Sequence, residues 1–184
     1  MRKSVVRGTL VGAALVIVAG GWVVNTSPPA EPVARGLAWM IGGEYRGRDG
    51  VQLQQGRTDC GVAVLSMLFR AHQRADGMAE LRRSVLERGY GLSLLEMKKI
   101  ASGRGLQASG WHLDAARLDD VPLPAVAHYD GHYVVVDRLA PDGTVHLRDP
   151  SIGRLEMPRE RFVELWTGNV LVIGPAPRLR AERG

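Results

Sequence analysis

The hydropathy pattern of this chain changes character once, and that change limits the folds open to it. Before about residue 105 the apolar residues recur at helical spacing; after Pro122 they fall into short β-rich runs separated by turn residues. The stretch 59–73, DCGVAVLSMLFRAHQ, is apolar around most of a helical circumference and is expected to run through the core. A second helix is expected over 78–88, stopped by Gly89. Ser93 and Glu96 make a capping-box pair that opens a third, running to about Ser102. Beyond the change, AVAH (125–128), HYVVVD (132–137) and TVHLRD (144–149) read as strands, the last two joined through Pro141, Asp142 and Gly143, with another hairpin through 152–156. A helix is expected to start at Pro158 and end at Gly168, before a closing strand at 170–173. Helices first and an antiparallel sheet after describe an α+β domain with N-terminal helices packed on the sheet. At 184 residues there is room for one such domain, which excludes a complete transporter or a multidomain enzyme.

The ends of the chain carry a different signal. Arg2, Lys3 and Arg7 precede Gly8–Val24, an uncharged apolar run that is followed by NTSPPAEP. Such a segment is either a secretory signal that is removed or a short transmembrane signal anchor. With no small-x-small site directly after the run, the anchor is favoured. Positive charge on the cytoplasmic side then places the rest of the chain beyond the inner membrane, facing the periplasm, or free in the periplasm or medium if the signal is cleaved. Residues 25–50 are expected as a linker and lead-in with one or two turns of helix in ARGLAWMIG (34–42), 51–174 as the domain, and 175–184 as a disordered tail. The net charge of +5 does not indicate nucleic acid as a partner. Six of the 24 Lys and Arg residues are terminal, and the charges between them balance.

Against an exported location, the single Cys60 is informative, because it cannot form an internal disulfide. It is either a small buried hydrophobe or a thiol kept for its chemistry. Its place decides: at the first turn of the apolar helix, backbone N–H groups and the helix dipole favour a thiolate. Gly61 is expected to leave open space beside the sulfur. Asp59 opposes the thiolate unless its carboxylate caps the helix and points away. Of the five histidines, His72 is about 18 Å along the same helix, His112 is expected in a connecting segment and His146 is one strand position among several. His132 opens a strand, His128 stands four residues before it, and Asp149 ends the neighbouring strand, where it can orient His132. As a bland alternative, Asp149 is a turn former before Pro150. No metal set is credible, and no cofactor is implied.

The segments QQGRTDCGVAVLSMLF, GLSLLEMKKIASGRGL and LPAVAHYDGHYVVVDRLAPDGTVHLRDPSIGRLEMPRERFVELWTGNVLVI resemble the papain-like peptidase domain that processes bacteriocin precursors at a double-glycine leader. The resemblance spans roughly 51–174 and rests on a combination: Gln six residues before the Cys of Asp-Cys-Gly, His at the start of a valine-rich strand, and Asp-Pro ending the next. It implies a cysteine peptidase with Cys60 as nucleophile, His132 as general base, Asp149 as its orienter and Gln54 at the oxyanion hole. The best-known members carry an export domain and an ATPase and face the cytoplasm. This chain is expected to represent a stand-alone, exported branch, cutting an exported peptide or a secretion partner through a thioester acyl-enzyme. A catalytically idle leader-binding domain of the same fold and a peptidoglycan peptide hydrolase are the alternatives. A periplasm-dependent reporter fused behind residues 1–30 is expected to be active and to stay with membranes through a high-salt wash, since apolar contact rather than charge holds it. A soluble reporter with a new N-terminus between residues 18 and 30 would show cleavage instead.

Overall fold

The computed structural model describes residues 28–74 and 77–174; the apolar run 8–24 and the tail 175–184 lie outside them. Its centre is a seven-stranded antiparallel sheet built from β1 (Glu44–Tyr45), β2 (Gln107–His112), β3 (Ala125–Tyr129), β4 (His132–Leu139), β5 (Thr144–Asp149), β6 (Gly153–Pro158) and β7 (Trp166–Gly174), in the order β1-β6-β5-β4-β3-β7-β2. On one face α2 (Cys60–Ala71), α3 (Met78–Arg88) and α4 (Leu94–Gly103) meet Val126, Val135, Leu171 and Ile173. The other face is also covered. Ala34 and Ala38 of α1 (Glu31–Met40), Leu118 of a 3-10 turn at 115–120 and Phe162 of α5 (Arg159–Leu165) pack there on Ala127, Val134, Val136 and Leu147. A sheet buried on both faces explains why β4 and β7 carry runs of consecutive apolar residues instead of alternating ones.

The α+β architecture matches the expectation, and most elements fall within one or two residues of their expected bounds. The capping box of α4 forms on both sides: Glu96 N–H donates to Ser93 Oγ at 3.2 Å, and Ser93 N–H donates to Glu96 Oε2 at 2.8 Å. Four stretches differ. Within 25–50, expected as linker and lead-in, α1 and β1 form part of the fold, with Ala34, Ala38 and Tyr45 buried. The segment of His112, expected as a connection, is β2, an edge strand paired only with β7; its half-exposed Gln-Ala-Ser-Gly sequence carries little β signal. The helix expected from Pro158 to Gly168 is shorter. Pro158 ends β6, and the chain enters β7 at Trp166, which pairs with Tyr129. Gly61 does not open space beside the sulfur: a Cβ there would stand 3.1 Å from Leu92 Cβ and 3.4 Å from Met97 Sδ, so the glycine lets the 89–93 loop and α4 close on α2.

Two turns set the geometry that matters later. Asp130 and Gly131, both at positive φ (45° and 71°), join β3 to β4 in the conformation a type I′ hairpin requires, making Tyr129 and His132 the closing pair. Pro150, Ser151 and Ile152 link β5 to β6, where Asp149 pairs with Gly153. Gly153 has φ 137°, and a Cβ on it would stand 2.5 Å from the Gly47 carbonyl oxygen and 2.8 Å from the Tyr45 ring. Gly153→Ala must therefore force backbone apart at a position already strained for a side chain. It is expected to lower unfolding free energy by about 2 kcal/mol or more, read as a fall in the urea midpoint at unchanged m-value; a midpoint within error of the parent would contradict this packing.

Candidate active site

Cys60 is half-buried at the first position of α2, a helix buried from Gly61 through Phe69. The sequence places the cysteine at the helix mouth, and core packing of the helix fixes it there. Its sulfur faces the imidazole of His132 and the backbone N–H groups of Gly61 and Tyr133. Burial pushes the thiol upward; those donors and the charge of His132 outweigh it, so the thiol lies below its ordinary value.

Asp59, the anticipated difficulty, is fully buried and makes no side-chain cap. Its carboxylate instead turns back into the preceding loop. There it accepts the N–H groups of Gln55 at 3.0 Å and Gly56 at 2.8 Å, and it meets Arg82 Nε of α3 at 2.9 Å. The charge that would oppose a thiolate is thus faced by a guanidinium and bound to backbone. Nothing near Arg82 in the sequence marks it for this place.

His132 begins β4, and Asp149 ends β5. The register Val135↔Arg148 continues to set Asp149 opposite Val134, so His132 is its diagonal neighbour on the same face, within reach of a side-chain hydrogen bond. That bond runs between His132 Nε2 and Asp149 Oδ1 at 3.0 Å, which leaves Nδ1 for the thiol. Burial pulls the imidazole down, but the hydrogen bonds and charges of Asp149 and Cys60 together raise it to about 10. Asp149 is 1% exposed. Burial pushes its carboxyl up, yet His132, Ser151 and Tyr129 hold it below the ordinary value. Asp149 is also a turn former, since the same Oδ1 accepts Ser151 N–H at 2.7 Å and Ser151 Oγ–H at 2.6 Å.

Gln54 reaches this region through its backbone, whose N–H donates to the Pro150 carbonyl at 2.9 Å, one residue beyond Asp149. Its Nε2 donates to the Gly56 carbonyl at 2.9 Å, and its Oε1 is buried without a donor. Gln55, its neighbour, is exposed, so of the two glutamines Gln54 is the inward one. The other histidines stand apart. His128 Nδ1 contacts Thr167 Oγ1 at 3.1 Å, His112 Nδ1 contacts Asn169 Oδ1 at 3.1 Å, and His146 lies between Arg138 and Glu156. A surface recess lined by Trp39, Glu44, Arg46, Glu156 and Glu160 sits at the β1–β6 edge and includes none of Gln54, Cys60, His132 or Asp149. Sequence reasoning missed Tyr129, whose hydroxyl donates to Asp149 Oδ2 at 2.5 Å. The signal was present in Tyr-Asp-Gly-His, because a two-residue Asp-Gly turn makes the tyrosine the cross-strand partner of the histidine.

A thiol at a helix N-terminus, facing an imidazole that is bonded to a buried carboxylate, on a helix laid across an antiparallel sheet, is an arrangement suited to thiol peptidase chemistry. Comparison with known proteins narrows the class. Residues 48–178 match the Peptidase C39 family, and the chain belongs to that family of cysteine peptidases. It is 34% identical over 139 residues to the transport/processing ATP-binding protein ComA of Streptococcus pneumoniae, covering 71% of this chain and 19% of that protein. It is 27% identical over 159 residues to the probable functional amyloid protease FapD of Pseudomonas aeruginosa, covering 79% of this chain and 70% of the relative. Among solved structures, a double glycine motif protease from an AMS/PCAT transporter, in complex with the leader peptide, superimposes with a TM-score of 0.61 at 26% identity, over 71% of this chain and 95% of that one. The chain spans about a fifth of the length of the ComA-type relative.

The opposite displacements of Cys60 and His132 define a pH window. Thiolate and imidazolium coexist from the lowered thiol value up to about 10, where the imidazolium loses its proton. Alkylation of Cys60 by iodoacetamide at pH 6 is expected to run at least about tenfold faster than that of free cysteine, whose thiol is overwhelmingly protonated there. The rate should fall only as the pH drops through the lowered thiol value. A rate at pH 6 no faster than free cysteine would mean that the thiolate is not stabilised.

Proposed function

We propose that this protein is a cysteine endopeptidase in which Cys60, His132 and Asp149 act as nucleophile, general acid and base, and orienter. One observation carries the reading: the His132 imidazole, bonded to the buried Asp149 carboxylate at 3.0 Å, faces the Cys60 thiol and pulls it below its ordinary value. In the mechanism, the Cys60 thiolate attacks the scissile carbonyl. The carbonyl oxygen becomes an oxyanion, stabilised by the Cys60 backbone N–H and by the second N–H of the Gln54 carboxamide, whose first is engaged with Gly56. The His132 imidazolium gives its proton to the leaving amine, and a thioester acyl-enzyme remains. Neutral His132 then takes a proton from water, the hydroxide adds to the thioester, and collapse releases the acid and restores the thiolate. Asp149 keeps Nε2 protonated and Nδ1 directed at the sulfur throughout.

The substrate we infer is an exported peptide or secretion partner with a double-glycine leader. Its support is the likeness to a protease solved with its leader peptide and to transport/processing proteins. The likeness to the probable functional amyloid protease FapD, of which this chain covers more than two thirds, supports proteolysis as the activity. We further propose that the apolar segment 8–24 anchors the chain in the inner membrane with the peptidase facing the periplasm.

Selection of glycine before the cut must work by excluding a Cβ, since glycine offers nothing to grip; affinity must therefore come from the leader. A leader-length peptide ending in Gly-Gly or Gly-Ala is expected to be cleaved far better than a four-residue peptide with the same ending, and valine at the final glycine should abolish cleavage while leaving most of the binding. Asp149→Asn should fold and lose at least tenfold in kcat, a barrier increase of about 1.4 kcal/mol. Equal kcat/KM for short and long peptides would overturn leader recognition, and full activity in Asp149→Asn would overturn the role of Asp149.

A further inference from the structure

The carboxylate of Asp149 is held at both oxygens, by different means. Oδ1 receives three donors: His132 Nε2 at 3.0 Å, Ser151 N–H at 2.7 Å and Ser151 Oγ–H at 2.6 Å. Oδ2 receives the hydroxyl of Tyr129 at 2.5 Å. The Ser151 bonds are local to the turn and would persist if the carboxylate plane swung. Only a donor at the far oxygen fixes the plane, and so the direction from which Oδ1 meets His132. Tyr129 is suited to that task. It is 4% exposed, so the hydroxyl has no competing solvent, and its ring is stacked on Phe162 at a centroid distance of 6.4 Å, with Phe162 stacked in turn on Trp166. Tyr129 and His132 close the same two-residue hairpin, so a single rigid turn aims the hydroxyl at one oxygen and the imidazole at the other. The titratable and charged groups facing this cluster are His132 on β4, Asp130 in the turn and Cys60 on α2, with His128 acting on His132 from β3.

We propose that Tyr129 is a positioning residue that, through Asp149, holds the His132 imidazole in the orientation in which it meets the Cys60 thiol. The proposal rests on the Cys60, His132 and Asp149 reading above, and its test needs no substrate. Iodoacetamide alkylation of Cys60 in the full chain is followed from pH 5.5 to 9.5 in the parent, Tyr129→Phe, His132→Ala, Asp149→Asn and the Tyr129→Phe/Asp149→Asn double variant. Tyr129→Phe is expected to slow alkylation three- to tenfold at pH 5.5 and to leave the rate at pH 9.5 unchanged, because at high pH the thiolate forms without help. On the Asp149→Asn background the same change should add nothing. A purely structural role would lower the melting temperature without this pH-selective loss and would remain additive. An unaltered profile for Tyr129→Phe while His132→Ala slows at pH 5.5 overturns the role of Tyr129 alone; an unaltered His132→Ala overturns the catalytic pair and Tyr129 with it. If Tyr129→Phe does not fold, the parent protein carries the question. Its Tyr129 hydroxyl proton is expected as an exchange-protected downfield NMR resonance that Asp149→Ala removes, and absence of that resonance overturns the proposal.

Discussion

Burial of α2 on every side governs the architecture. From Gly61 to Phe69 no residue of the helix faces water, so it needs cover around its whole circumference and not along one stripe. The sheet supplies one side through Val126, Val135 and Leu171, while Met78 and Val85 of α3 and Met97 and Ala101 of α4 supply the others. Each fully buried Leu or Phe of this helix contributes about 1.5–3 kcal/mol relative to exposure, so the helix has no tolerance for a shift in register. Cys60 inherits that rigidity. It projects from the N-terminal end of the helix, where the thiol meets His132 at the start of β4.

The approach of the neighbouring loop follows from the same constraint. Arg88 donates to the carbonyls of Tyr90 at 3.0 Å and Gly91 at 2.7 Å and pairs with Glu96 at 3.0 Å, tying the loop to the α4 cap. Held in this way, Leu92 packs against Gly61, and a Cβ on Gly91 would stand 3.0 Å from the Thr58 carbonyl. The wall beside the thiol is therefore close and shaped by backbone. On the opposite side, the Asp59–Arg82 pair is almost wholly buried. A desolvated pair of this kind contributes little net stability but is costly to break. Its effect here is on the direction of a charge, since the carboxylate next to Cys60 faces a cation and two N–H groups and not the sulfur.

Electrostatics and topology act together at the site. A buried carboxylate with four donors remains charged, and that charge, with the hydrogen bond it accepts, sustains an imidazolium against the cost of desolvation. The imidazolium sustains the thiolate. Each link is placed by a different device: the helix mouth for Cys60, a two-residue hairpin for His132, and a strand end with its turn for Asp149.

The amino-acid sequence by itself determined the α+β class, the capping box of α4 and the buried character of α2, because each depends on local periodicity or on a cap, and it offered Cys60, His132 and Asp149 as candidates through their positions and a family resemblance. Elements whose stability comes from distant partners left no such trace. β2 exists because β7 offers it an edge, α1 because the second face of the sheet needs cover, and α5 ends early because Trp166 pairs with Tyr129. The close fit of Leu92 on Gly61, the pairing of Arg82 with Asp59 and the hydroxyl of Tyr129 on Asp149 also belong to the tertiary structure alone. Sequence spacing states which residues share a face, but only packing brings together side chains that stand twenty or more positions apart and decides which of them a buried charge will meet.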